Sequence, residues 1–189
     1  MAASDVQLGV LDTQRLTSEY ATLSPQFRRL LGSLENRLRE VTDNVISIQQ
    51  GKNNVKSLLK HAKLVIRQSS SELGNLFTIA EGRALIVQHT DLGDLLVAKL
   101  GPGDFIGKIP FLDIGHEPLS ASVFAESTFK VDKPDVSRLK GEFENLSAMF
   151  RGLIENVSTS VMVATRLAYD FHRRNAPHKS GKLSKSKKR

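Results

Sequence analysis

The chain repeats itself, and the repeat limits what it can fold into. At an offset of 123 residues, Glu19-Tyr20-Ala21-Thr22-Leu23-Ser24 aligns with Glu142-Phe143-Glu144-Asn145-Leu146-Ser147. The alignment continues through Leu16 and Leu139, Phe27 and Phe150, Arg28 and Arg151, Leu30 and Leu153, Leu31 and Ile154, Leu34 and Val157, Leu38 and Val161, and Thr42 and Thr165. In each copy a serine stands where a helix N-cap belongs, able to accept from free backbone N–H groups. Pro25 follows Ser24 at the first helical position, where a missing N–H costs nothing. Apolar residues then recur three, six, seven, ten, fourteen and seventeen positions after the serine, the spacing of one face of a long amphipathic helix. The spacing predicts helices over Pro25–Gln49 and Ala148–His172. A short helical piece is expected before each, near Thr13–Thr22 and Pro134–Asn145.

Between the copies the pattern changes. Residues 51–62 read as a connector with helical content. From Lys63 to Val131 the apolar period drops toward two, with glycines marking turns. Strands are expected at Lys63–Arg67, Leu76–Ala80, Arg83–Gln88, Leu95–Leu100, Ser120–Ala125 and Thr128–Val131, with a break at Gly101-Pro102-Gly103-Asp104. Short, regularly spaced strands followed by helices indicate an α+β fold built on a β-barrel or jelly roll.

Composition narrows the chemistry. Among 189 residues there are no cysteines, which excludes disulfides, thiolate catalysis and Cys-ligated metals. No apolar run approaches 18 residues, so no membrane span is expected. The first ten residues lack the pattern of a signal peptide, and a cytoplasmic protein is the default. The net charge is +7, yet eight Lys or Arg lie from His172 onward, leaving residues 1–171 at −1. That basic tail, 173–189, is expected to be disordered. It is either a solubilising tail or an electrostatic handle for nucleic acid. Gly107-Lys108 is no phosphate loop, because Pro102 and Ile109 occupy the places of a required glycine and Ser or Thr. The five histidines form no i, i+3 or i+4 pair, and no nucleophile elbow is present. No metal, cofactor or catalytic residue is expected, and the chain reads as non-enzymatic.

The strand order, the segment GPGDFIGKIPFLDIGHEPLSASVFA from Gly101 to Ala125, and the two helices after it resemble the cyclic nucleotide-binding domain family over roughly residues 60–172. The resemblance implies a regulatory β-roll with closing helices. It also implies a phosphate-binding cassette at Gly107, Lys108, Ile109, Ser120 and Ala121. Where the family carries Glu, a small residue and Arg, this chain has Lys108, Pro110 and Leu119. Those departures remove the main cation and one N–H donor, and exchange an acceptor for a donor. Tight binding of cyclic AMP or cyclic GMP is therefore not expected. The alternative is a site that still takes a cyclic nucleotide or another anion. Residues 1–50 look like the closing helices of a preceding copy, and 51–172 like a domain with its own. A homodimer built on the long helices is expected, with Phe150, Leu153, Ile154, Val157 and Val161 as contacts, unless the two helix pairs pack together within one chain.

Overall fold

The structure, a computed structural model, describes residues 12–52, 55–112, 121–126 and 128–175. The elements run α1 (Thr13–Thr22), α2 (Pro25–Gln49), α3 (Val55–Leu59), β1 (Lys63–Ile66), a 3-10 turn (Ser71–Gly74), β2 (Phe77–Glu81), β3 (Ala84–Thr90) and β4 (Gly93–Leu100). They continue through β5 (Phe105–Ile106), β6 (Ser122–Ala125), β7 (Lys130–Asp132), α4 (Val136–Glu144) and α5 (Ala148–Asn175). The α+β architecture expected from the residue pattern is the one observed. All strand pairs are antiparallel, in a four-stranded sheet of order β1-β6-β3-β4 and a three-stranded sheet of order β5-β2-β7.

Local chemistry sets the helix boundaries. Asp12 caps α1 by accepting from Arg15 N at 2.9 Å, and its repeat mate Asp135 caps α4 by accepting from Arg138 N at 3.0 Å. Ser24 accepts from Phe27 N at 3.1 Å, and Ser147 from Phe150 N at 3.2 Å. The second long helix continues three residues past the expected end at His172, so Arg173, Arg174 and Asn175 are helical rather than part of the tail. The rest of the basic tail and residues 1–11 lie outside the described residues.

The long helices pack on each other in cis. Ser24 N donates to Glu142 Oε2 at 2.8 Å, and Ser147 N donates to Glu19 Oε2 at 3.1 Å. These bonds are the same contact made twice between repeat mates, so a pseudo-two-fold axis relates α1–α2 to α4–α5. The hydrophobic cores follow it. Phe27 with Phe150, Leu31 with Ile154, and Leu34 with Val157 share one cluster. Val41 and Ala164 share the next, with Val45 and Ala168 in a third. At the far end Asn175 Nδ2 donates to Ile48 O at 2.7 Å, so the helices run parallel. This packing corrects the placement of Ile154 and Val161 on a dimer face. They are 4% and 2% exposed within one chain, their side chains already committed to intrachain packing. Phe150 and Val157 are half-buried against the same core, and of the five only Leu153 is exposed.

Candidate functional site

The segment anticipated as a binding cassette follows β5. Gly107 is buried at φ +90, a backbone conformation that suits glycine, and turns the chain out of the sheet. Lys108 and Pro110 are exposed, and Ile109 is fully buried. Ile109 packs with Phe27, Leu30, Leu34 and Phe105 beneath the helices. Ile106 and Ala121 pack instead with Ile66, Ile79, Ile86 and Val97 inside the β-roll. The side chains of Ile109 and Ala121 are thus core residues, which leaves only their backbone groups for a ligand. Ser120 and Leu119 lie outside the described residues, as does His116-Glu117. The cassette arm straddles two cores, one facing the helices and one inside the roll.

Helix α2 grips this arm at its root. Ser33 Oγ accepts from Phe105 N at 3.0 Å, and Arg37 donates to Phe105 O at 2.7 Å. Asn36 Nδ2 donates to Asp104 Oδ2 at 2.9 Å, and Asp104 Oδ2 also accepts from Gly101 N at 2.8 Å, closing the turn. The Arg37 guanidinium lies over the Phe105 ring, 4.6 Å from its centroid, within reach of a cation–π attraction. Burial lowers the Arg37 pKa to about 10, and the nearby Asp104 carboxylate works in the opposite direction. A guanidinium at that value is still charged at neutral pH, so a full positive charge sits inside the interface. Farther along, Asn44 Nδ2 donates to Val97 O at 3.1 Å, and Glu40 accepts from Lys99 N at 3.3 Å.

The sequence reading missed this clamp. Its only signal was that Ser33 and Arg37 interrupt the apolar face carrying Leu30, Leu34 and Val41. A polar pair four residues apart on a buried stripe requires a polar partner. The repeat gave no clue, because the mates Asn156 and Ser160 are of different character.

Two concave regions lie near the helices. One, of about 100 Å³, sits between α2 and the start of the closing helices, with Arg29, Asp132 and Lys133 in its wall. The other, of about 560 Å³, runs beside α5 and includes Gln88, Val163 and Leu167. Among the described residues no group of three His, Cys, Asp or Glu could hold a metal ion. No helix among them is long and apolar enough to cross a membrane.

No protein-family description matches the chain, and no curated protein does. Solved structures do. The cGMP-bound EAL enzyme Bd1971 matches at 22% identity and a TM-score of 0.45, over 58% of this chain and 29% of that one. The c-di-GMP-responsive regulator CLP of Xanthomonas campestris matches at 15% identity and 0.35, over 64% and 60%. The catabolite activator protein of Thermus thermophilus matches at 22% and 0.33, over 61% and 55%. The chain thus spans less than two thirds of the length of each. The likeness is one of fold at low identity, and no residue role passes from these proteins to this one.

Proposed function

We propose that this chain is a non-catalytic regulatory β-roll of the cyclic nucleotide-binding type. In this reading its cassette has lost tight affinity for cyclic AMP and cyclic GMP, and it acts through its helices. The observation that carries the reading is the α2 clamp on Phe105, two residues before Gly107. A regulatory β-roll must couple the conformation of its cassette arm to something outside the roll. Here the coupling uses two hydrogen bonds to one backbone residue, made by a helix that is itself locked to α5. Loss of affinity follows from the residue types. Lys108 is a donor at the acidic position, and Pro110 supplies no N–H. Each charged hydrogen bond lost weakens binding by roughly tenfold or more.

Isothermal calorimetry with cyclic AMP, cyclic GMP and cyclic di-GMP tests the reading. The expected result is no heat of binding at micromolar concentrations. Micromolar affinity for cyclic AMP or cyclic GMP overturns it.

One observation favours a second reading, a sensor of another anion. Lys108 is exposed beside the left-handed Gly107, and inorganic phosphate or pyrophosphate is the probe. Saturable heat that disappears in Lys108→Gln selects this reading over the first.

A further inference from the structure

A narrow cleft lies where α2, the three-stranded sheet and the entry to α4 converge. Its volume is about 100 Å³. Pockets that take drug-sized ligands run to roughly 300–1,000 Å³, so this one is too small for a nucleotide. Leu30, Leu76, Phe105 and Leu139 line it with buried apolar side chains. Arg29, Asp132 and Lys133 line it as exposed residues, so hydrocarbon forms the floor and charge stands at the mouth. Half-buried Gln26 and Thr78 add hydrogen-bonding groups to the wall.

The charges are of both signs, yet among the described residues none of the three joins an ion pair. Elsewhere on the surface, opposite charges within reach are paired, as Arg15 is with Glu19, Lys130 with Glu81 and Arg138 with Glu142. The Lys133 ammonium meets the Phe77 ring at 5.9 Å from its centroid, a contact that leaves its N–H donors unfilled. A ligand that answers such a wall carries both charges close together on a small apolar body.

We propose that this cleft binds a small free α-amino acid with a short aliphatic side chain. Its carboxylate meets Arg29 and Lys133, its ammonium meets Asp132, and its side chain enters the apolar floor. A plain carboxylate leaves Asp132 facing a like charge, and a plain amine does the same to the two cations; a zwitterion satisfies all three. The position gives occupancy a consequence. Arg29 and Leu30 belong to α2, Phe105 carries the backbone groups that α2 clamps, and Lys133 leads into α4. A bound molecule therefore bridges the roll to both helix pairs. Gly107 and Lys108 take no part in the wall, so the site stands whether or not the cassette holds a ligand.

The test is a titration of the full-length, isotope-labelled protein followed by amide resonances. The probes are L-alanine, and propionate and ethylamine, each of which keeps one of its two charges. L-alanine is expected to give saturable shifts at Thr78, Phe105 and Lys133. Losing a charged hydrogen bond weakens binding roughly tenfold or more, so propionate and ethylamine are expected to bind about tenfold less tightly. Asp132→Asn is expected to weaken L-alanine by a similar factor and to leave propionate unchanged or tighter, a split that a merely structural role would not produce. Arg29→Gln is expected to weaken both, and Lys108→Gln neither. All three positions are exposed, where substitutions usually leave stability nearly unchanged. No saturable shift with L-alanine overturns the proposal. So do equal affinities for L-alanine and propionate, wild-type affinity for L-alanine in Asp132→Asn, or shifts that centre on Lys108.

Discussion

Glu19 and Glu142 each do two things with one carboxylate. Glu19 Oε1 accepts from Arg15 Nε at 3.0 Å while its other oxygen holds Ser147 N, and Glu142 repeats this with Arg138 at 3.3 Å and Ser24 N. The Ser147 backbone N–H, with help from Arg15, holds the Glu19 pKa below its ordinary value. For Glu142 partial burial pushes upward, but Ser24 and Arg138 outweigh it and the net shift is also down. A carboxyl that titrates lower when folded stabilises the fold above its unfolded pKa, and that contribution disappears as pH falls through the folded value. The Glu19→Gln, Glu142→Gln double variant is therefore expected to have a lower urea midpoint than the wild type at pH 7, and the difference is expected to close as the pH falls through the folded carboxyl values. Equal midpoints at pH 7 refute the role. Gly82 sets a different constraint. It sits at φ +91, and a Cβ there would run into the backbone carbonyl of Thr128. Gly82→Ala is expected to cost about 1–3 kcal/mol in chemical denaturation, and a neutral result contradicts the geometry.

Among the elements, the helices were legible in the sequence because their signals are local. Capping residues, apolar spacing and a second copy of both gave Pro25–Gln49 to the residue. Strand β5 was not legible. It has two residues and exists because Phe105 and Ile106 pair with Thr78 and Phe77 across the sheet. Its core positions split as well, Phe105 toward the helices and Ile106 into the roll. The clamp was invisible for the same kind of reason, since its partners lie 68 residues apart on α2 and the turn. The cassette was legible as a segment but not in side-chain direction. Nothing in the residue pattern from Gly107 to Pro110 shows that Ile109 points into a core. Arg37 is the residue on which α2's hold depends. Arg37→Ala removes a charged hydrogen bond, which costs about 1.5–3 kcal/mol. Amide hydrogen exchange at Phe105, Ile106 and Gly107 is expected to quicken in the variant, while exchange within β3 does not. Uniform quickening across the roll would mean that Arg37 acts on global stability alone.

At the scale of the whole molecule, the helices and the roll are expected to form one cooperative unit, because among the described residues α2 contributes to three separate hydrophobic clusters. Phe27, Leu30 and Leu34 lie in the first, Val41 in the roll's own core, and Ile48 against Leu95 and Ala168 in the last. The roll is therefore expected to depend for its stability on a helix encoded ahead of it. Strand β6 and the first long helix lie far apart in the sequence but share one interior, through Val123 and Val41. Leu34 tests this, being 1% exposed and sharing a core with residues of α4, α5 and the turn after β5. Leu34→Ala is expected to cost about 2–5 kcal/mol through lost transfer energy and the cavity left behind. For a chain of this length each kcal/mol lowers Tm by about 2–4 °C. Cooperativity is checked by comparing probes. Far-UV circular dichroism at 222 nm follows the helices, and amide resonances of β3 and β4 follow the roll. If the unit is single, both report the same lowered midpoint in the variant. A roll that keeps its wild-type midpoint while helicity is lost would show that α2 rests on the roll without being part of its interior.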